Sequence, residues 1–150
     1  MNELSAALKI ALANTFVMYF KAHSYHWNVE GSDFSEYHSF FGDLYDELYD
    51  AIDPIAERIR TLDVYAPVSL VDLLAAATIA EDTTAPVTGR AMMSSLAQSN
   101  AEVIGSLNKS FEYAQASNNQ GVMNYIADRL DMHAKHGWMI RSFLKNNGAQ

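Results

Sequence analysis

Apolar residues recur along this chain at intervals of three, four and seven, the period of amphipathic helices. Leu4, Leu8, Leu12, Phe16, Tyr19 and Phe20 predict a first helix from about Asn2 to Asn28. Gly31 is a natural stop, Ser32 or Asp33 a natural cap for the next helix, and Glu36 sits where a capping box needs it. Phe34, Phe41, Leu44, Leu48, Ile52, Ile55, Ile59 and Leu62 then mark a second helix. Pro54 inside it removes the bond to the carbonyl of Asp50, so a kink is expected there. A link from about Asp63 to Thr88 contains Pro67 and Pro86, and Ser69 can cap a short helix over Leu70–Ala77. Met92, Leu96, Val103, Leu107 and Phe111 predict a third long helix from about Gly89 to Ala116. After a turn at Asn118, Asn119 and Gly121, a last helix carries Met123, Ile126, Leu130, His133, Gly137, Ile140 and Leu144 and ends near Gly148.

The spacing of turns gives these helices a topology. Helices joined by tight turns lie antiparallel, whereas a 26-residue link can run the length of a bundle and leave helices two and three parallel. One long crossover is the ferritin-like arrangement of the four-helix bundle. The expected fold is therefore all-α: a single ferritin-like domain over residues 1–150, with a short helix in the link between helices two and three.

Composition narrows the function. At 150 residues, 49% of them hydrophobic, the chain is one domain with a real core. No apolar run approaches the roughly 20 residues that span a bilayer. The amphipathic start, with Glu3 in it, is unlike a signal peptide, so a cytoplasmic protein is the plain expectation. With no cysteine there is neither a disulfide framework nor a thiolate metal site. The net charge of -8 is placed unevenly: residues 1–75 hold 12 acids and 4 bases, residues 76–150 hold 6 of each. Such a field attracts cations and repels polyanions.

Two pairs of residues have ligand chemistry. His26 lies about one and a half turns before the hairpin at Gly31, and His38 about as far after the cap at Asp33. Closing the hairpin brings the imidazoles level, and imidazole is a good ligand for iron, zinc or copper. Two histidines beside a turn are equally explained by packing. Asp53 and Glu57 are four apart and share a helix face, where they form a hard-oxygen half-site. Spacing alone reads them as a solvated face, with Glu57 paired to Arg58 or Arg60. His38 and Asp53, however, are 15 residues apart on one helix, about 22 Å at 1.5 Å per residue. If histidines and carboxylates share a metal, the carboxylates come from a second chain. An antiparallel two-fold pair of second helices would create two identical sites.

The stretch from Lys21 to Arg60 closely resembles the Dps signature: His26-Trp27-Asn28, His38 twelve residues on, then Asp53 and Ala56-Glu57-Arg58. The segment from His133 to Leu144 is similar to that family's closing helix, and the resemblance covers essentially the whole chain. It implies a ferroxidase and iron-storage protein that protects against oxidative damage. His26 and His38 of one subunit would face Asp53 and Glu57 of its partner around Fe(II), with hydrogen peroxide as the usual oxidant. It also implies a homo-oligomer, a hollow shell of twelve built from two-fold dimers. Larger ferritins and di-iron enzymes use Glu-x-x-His motifs within one bundle, and none of the 8 glutamates here has a histidine three residues later.

Further residues divide between function and structure. Asp43, Asp46, Glu47 and Asp50 continue the acidic face of helix two, which in a Dps-like shell borders the cavity and can nucleate mineral; a merely solvated face is the alternative. Trp27 adjoins His26, as an absorber of oxidising equivalents or as a packed ring, while His133, His136 and Trp138 read as structural. Two positions depart from the family pattern. Gly42 stands where many relatives have an acid, with Asp43 beside it, and Gln120 and Asn124 are neutral where many have a pore-lining acid, Asp128 being the first. The rival readings are a DNA-compacting structural protein and a helical assembly module without chemistry. Against the first, the opening twenty residues offer only Lys9 and Asn147–Gln150 carry no charged side chain, whereas nonspecific DNA binding needs several cations on phosphates. DNA binding is expected to be weak or absent.

Overall fold

A computed structural model describes residues 2–84 and 88–145. The chain forms α1 (Glu3–Asn28), α2 (Phe34–Thr61), a short α3 (Leu70–Ala75), α4 (Gly89–Ala116) and α5 (Gln120–Leu144), and no strand occurs among the described residues. No described helix is long and apolar enough to cross a membrane. Pro86 and the tail beyond Lys145 lie outside the described residues.

Side-chain bonds fix the directions of the helices. On α1 and α4, Lys21 Nζ donates to Ser99 Oγ at 2.8 Å and Tyr25 Oη to Ser95 Oγ at 2.9 Å, so the two run antiparallel. On α2 and α5, Glu47 meets Arg129 while Tyr125 Oη donates to the carbonyl of Ala51, again antiparallel. The α1–α2 hairpin is antiparallel too, His26 lying against His38 and Tyr19 against Tyr45. It follows that α2 and α4 are parallel, as the long link demands. That link climbs alongside α1: Asn14 Oδ1 accepts from the amides of Thr78 (2.8 Å) and Ile79 (3.3 Å), and Tyr25 donates to Asp82. These bonds, buried or partly buried, replace the regular structure that the link lacks.

Three expectations need correction. Asp33 does stand at the start of α2, but in the left-handed region (φ 62°) and without a side-chain cap bond, so no capping box with Glu36 forms. The reversal from α1 to α2 takes few residues, and Gly31 at φ 96° and Asp33 absorb it in their backbones. The chain leaves α5 at Leu144, with Lys145 already extended and Arg90 of α4 donating to the Leu144 carbonyl at 2.8 Å; the expected end near Gly148 lies outside the described residues. The inward stripe of α5 runs Val122, Ile126, Arg129, His133, His136, Ile140, so Arg129 and His136 take the places assigned to Leu130 and Gly137. Pro54 is accommodated without breaking α2. α1 is buried on more than one side, enclosing Asn14, Thr15 and Lys21, whereas Phe20 stays 45% exposed.

Arg129 is turned inward by Glu47. Its two terminal nitrogens donate to the two carboxylate oxygens at 2.5 and 3.1 Å, and His136 Nε2 donates to Oε1 at 2.6 Å. Arg129 also donates to His133 Nε2 at 3.0 Å, while His133 Nδ1 donates to Asn100 Oδ1 at 2.8 Å. Burial, reinforced by the Arg129 charge, pushes His133 down to about 3. Burial alone would raise Glu47, but the bonds from His136 and Arg129 outweigh it and hold the carboxyl at about 2.

Both shifts make the fold acid-sensitive. An unfolded histidine titrates near ~6.5, so between there and about 3 the unfolded chain binds the extra proton and stability falls with pH. One such group gives a slope of up to ~1.4 kcal/mol per pH unit. Glu47 adds a second decline as pH falls from ~4.3 toward its folded value of about 2. Thermal denaturation at pH 7, 6, 5 and 4 should show a falling Tm, and His133→Gln should flatten the decline between 6.5 and 4.5. A wild-type Tm independent of pH across that interval contradicts this account.

Candidate metal centre

The α1–α2 hairpin sets two imidazoles face to face, ring centroids 3.8 Å apart and planes 17° from parallel. His26 Nδ1 lies 2.8 Å from the carbonyl of His38, and His38 Nδ1 lies 2.7 Å from the carbonyl of His26. A carbonyl only accepts, so both Nδ1 atoms carry a proton, and in the neutral form of each ring the lone pair is on Nε2. The hairpin explains half of this exchange. His26 sits in the last turn of α1, where its carbonyl has no helical partner, and His38 supplies the donor. Backbone-locked Nδ1–H groups are the usual outer shell of imidazoles that bind metal through Nε2. Both rings are partly exposed, and neither Nε2 has a hydrogen-bond partner among the described residues.

Gly42 is part of this geometry. A Cβ there would stand 3.2 Å from His26 Nδ1 and Cε1, so the absent side chain leaves room for the imidazole. The departure from the family pattern at this position thus has a steric counterpart in the ring beside it.

His23, which the sequence reading passed over, adjoins the pair. Its ring stacks on Tyr45 (3.7 Å, 8°) and lies 6.3 Å from His26, and its Nδ1 is 2.9 Å from Tyr19 Oη. Burial, then the neighbouring His26, lowers its pKa. The available signals were its spacing of three from His26 and of four from Tyr19, both on one helix face. Trp27 packs on His23 at 4.2 Å yet remains 59% exposed.

Asp53 and Glu57 lie exposed further along α2, without a side-chain hydrogen bond or ion pair among the described residues. The pairing of Glu57 with an arginine does not occur: Arg58 lies over the Tyr125 ring at 4.4 Å and Arg60 over Tyr65 at 4.9 Å. Within one chain, no three His, Asp or Glu residues among those described converge to hold a metal. Asp43, Asp46 and Asp50 are exposed on α2. Glu47 is not one of them: it turns into the bundle and is committed to Arg129 and His136, so it is no free iron-gathering carboxylate. His133 and His136 are buried, as expected of structural residues, whereas Trp138 is 59% exposed. On the outside of the α1–α2 hairpin, Phe20, Phe34 and Tyr49 are 45%, 43% and 58% exposed.

Known proteins share the fold that carries these residues. Residues 5–147 match the ferritin-like domain family. A DNA protection during starvation protein of Brevibacillus brevis is 31% identical over 146 residues, covering 95% of each chain. Among solved structures, a Dps protein of Vibrio cholerae O1, described as a member of a broad superfamily of ferritin-like diiron-carboxylate proteins, superposes with a TM-score of 0.90 at 33% identity, covering 95% of this chain and 89% of its own. Dps from Thermosynechococcus elongatus gives a TM-score of 0.91 at 27% identity, covering 97% and 93%.

The imidazole pair makes a direct prediction. Long-range proton–nitrogen NMR should find both His26 and His38 protonated on Nδ1 at neutral pH. Gly42→Ala should disturb the His26 signals and weaken Co(II) binding about tenfold, as loss of an outer-shell contact does. Unchanged spectra and unchanged affinity in that variant would show that the close approach has no effect.

Proposed function

The chain belongs to the ferritin-like proteins and, within them, to the Dps family, and from that premise we propose that it is a ferroxidase and iron-storage protein whose oxidation site is shared between two subunits. The observation that carries this reading is the reciprocal locking of His26 and His38, which leaves two Nε2 lone pairs on partly exposed rings. Fe(II) is the substrate. His26 and His38 of one subunit hold it together with Asp53 and Glu57 of the partner subunit. The separation along α2, about 22 Å, keeps one chain from closing the site alone.

A two-fold pairing of the α1–α2 hairpins also supplies cover for Phe20, Phe34 and Tyr49. Burying such rings stabilises a contact by ~25 cal/mol per Å² of apolar surface. Twelve subunits then enclose a cavity, and Asp43, Asp46 and Asp50 on its wall gather iron for the mineral. Hydrogen peroxide is the oxidant. Two ferrous ions each lose one electron, the O–O bond breaks, and the two oxygens leave as hydroxide. Trp27, beside His23, is placed to give up an electron when one ferrous ion is missing.

Mixed oligomers test the shared site. The variant His26→Ala/His38→Ala and the variant Asp53→Ala/Glu57→Ala should each oxidise Fe(II) with peroxide no faster than buffer does. Refolded together, they should recover up to half the normal number of sites per mixed dimer, because one site draws intact ligands from both chains. Sedimentation confirms co-assembly. Co-assembled variants without recovered activity would place the ligands within one chain. A wild-type rate equal to that of free iron would refute the ferroxidase itself.

A further inference from the structure

Ferritin-like di-iron bundles hold their metals between glutamates and histidines that project inward from the four helices. This bundle also turns such side chains inward, yet a guanidinium stands between them. Arg129, 6% exposed, touches both oxygens of Glu47 and the Nε2 lone pair of His133. Among the described residues no three carboxylates or imidazoles converge on a point there, and the guanidinium lies between Glu47 and His133. The interior as it stands does not fit a metal.

We propose that Arg129 is a built-in cation occupying a divalent-metal seat in the bundle interior, so that the seat is closed to metal while the arginine is present.

Three observations carry this. The groups around the guanidinium are metal ligands by type, one carboxylate and one imidazole whose Nε2 carries a lone pair. Around them stands an outer shell of the kind that orients ligands on a metal: Asn100 accepts from His133 Nδ1 at 2.8 Å, and His136 donates to Glu47 at 2.6 Å. Finally, Arg129 Nε is buried with no hydrogen-bond partner among the described residues, so the seat matches the cation's charge better than its full set of donors. His133 Nδ1 donates to Asn100, so its Nε2 lone pair is the acceptor that Arg129 now occupies. Removing the guanidinium leaves the Glu47 charge uncompensated in the interior. A carboxylate with one or two imidazoles suits a borderline cation such as Zn(II), Co(II) or Fe(II).

The test uses the full chain with the surface ligands removed (His26→Ala, His38→Ala, Asp53→Ala, Glu57→Ala), so that its outcome is separate from that of the ferroxidase reading. With Arg129 intact, this background should bind no interior Co(II). Adding Arg129→Ala should give one Co(II) per subunit, a visible absorption band from nitrogen and oxygen ligation, and a Tm that rises with Co(II). Adding Glu47→Gln or His133→Phe should abolish all three, and Arg129→Lys should keep the seat closed. If the alanine variant does not fold alone, folding on addition of Co(II) but not Mg(II), read by circular dichroism, is the same positive result. A variant that folds without taking up Co(II), or stays unfolded with it, overturns the proposal. So does interior Co(II), sensitive to Glu47→Gln, in the background that retains Arg129.

Discussion

A positive charge buried among four helices is the constraint around which this bundle is arranged. Arg129 is 6% exposed, and removing one partner of such a pair leaves an uncompensated charge in the interior, at a cost of about 3–5 kcal/mol. The carboxylate that answers it comes from α2, so the Glu47–Arg129 pair joins the two hairpins across the core. It also decides how α5 is rotated. With Arg129 inward, His133 and His136 must face inward as well, one and two turns along the same stripe. The tautomer of His133, the orientation of Asn100 and the low pKa of Glu47 all follow from that placement.

α2 serves the interior and the exterior at once. Glu47 faces the core, while Asp46, Asp50, Asp53 and Glu57 face outward. A helix separates such functions by angle: at 3.6 residues per turn, Asp46, Asp50, Asp53 and Glu57 all lie roughly 60–120° to one side of Glu47. It separates them by length as well, because its rise keeps His38 and the carboxylate pair far apart however the hairpin is packed. The histidine end is rigid: two rings, two backbone carbonyls and the bare backbone of Gly42 determine one another. The carboxylate end has no side-chain hydrogen bond or ion pair among the described residues. In the proposed shared site, the locked nitrogens of one chain would meet exposed carboxylates of another.

Much of the candidate site was legible in particular residues. The twelve residues from His26 to His38 bracket a turn, and any tight hairpin at Gly31 levels the two rings. What spacing could not supply was the exchange of Nδ1 bonds, which depends on the exact depth at which α1 ends and on its unpaired carbonyl at His26. Glu47 was misread for a similar reason. On α2 it belongs to an acidic run, and only the arrival of Arg129 from 82 residues away separates it from its neighbours. His23 was missed because its partners are aromatic rather than ionic.

The sequence by itself determined the helices, their ends to within a few residues, and the parallel course of α2 and α4. These depend on local periodicity and on the length of one link, and both are properties of the chain read in order. The separation of His38 from Asp53 belongs here too, because a helix has a fixed rise. Only the tertiary structure decided which face of α5 is inward, which acid on α2 is buried, and why position 42 is bare. Each of those depends on what lies opposite, across a distance that the order of residues does not encode. An arginine is polar in every hydropathy pattern until a carboxylate meets it inside the core.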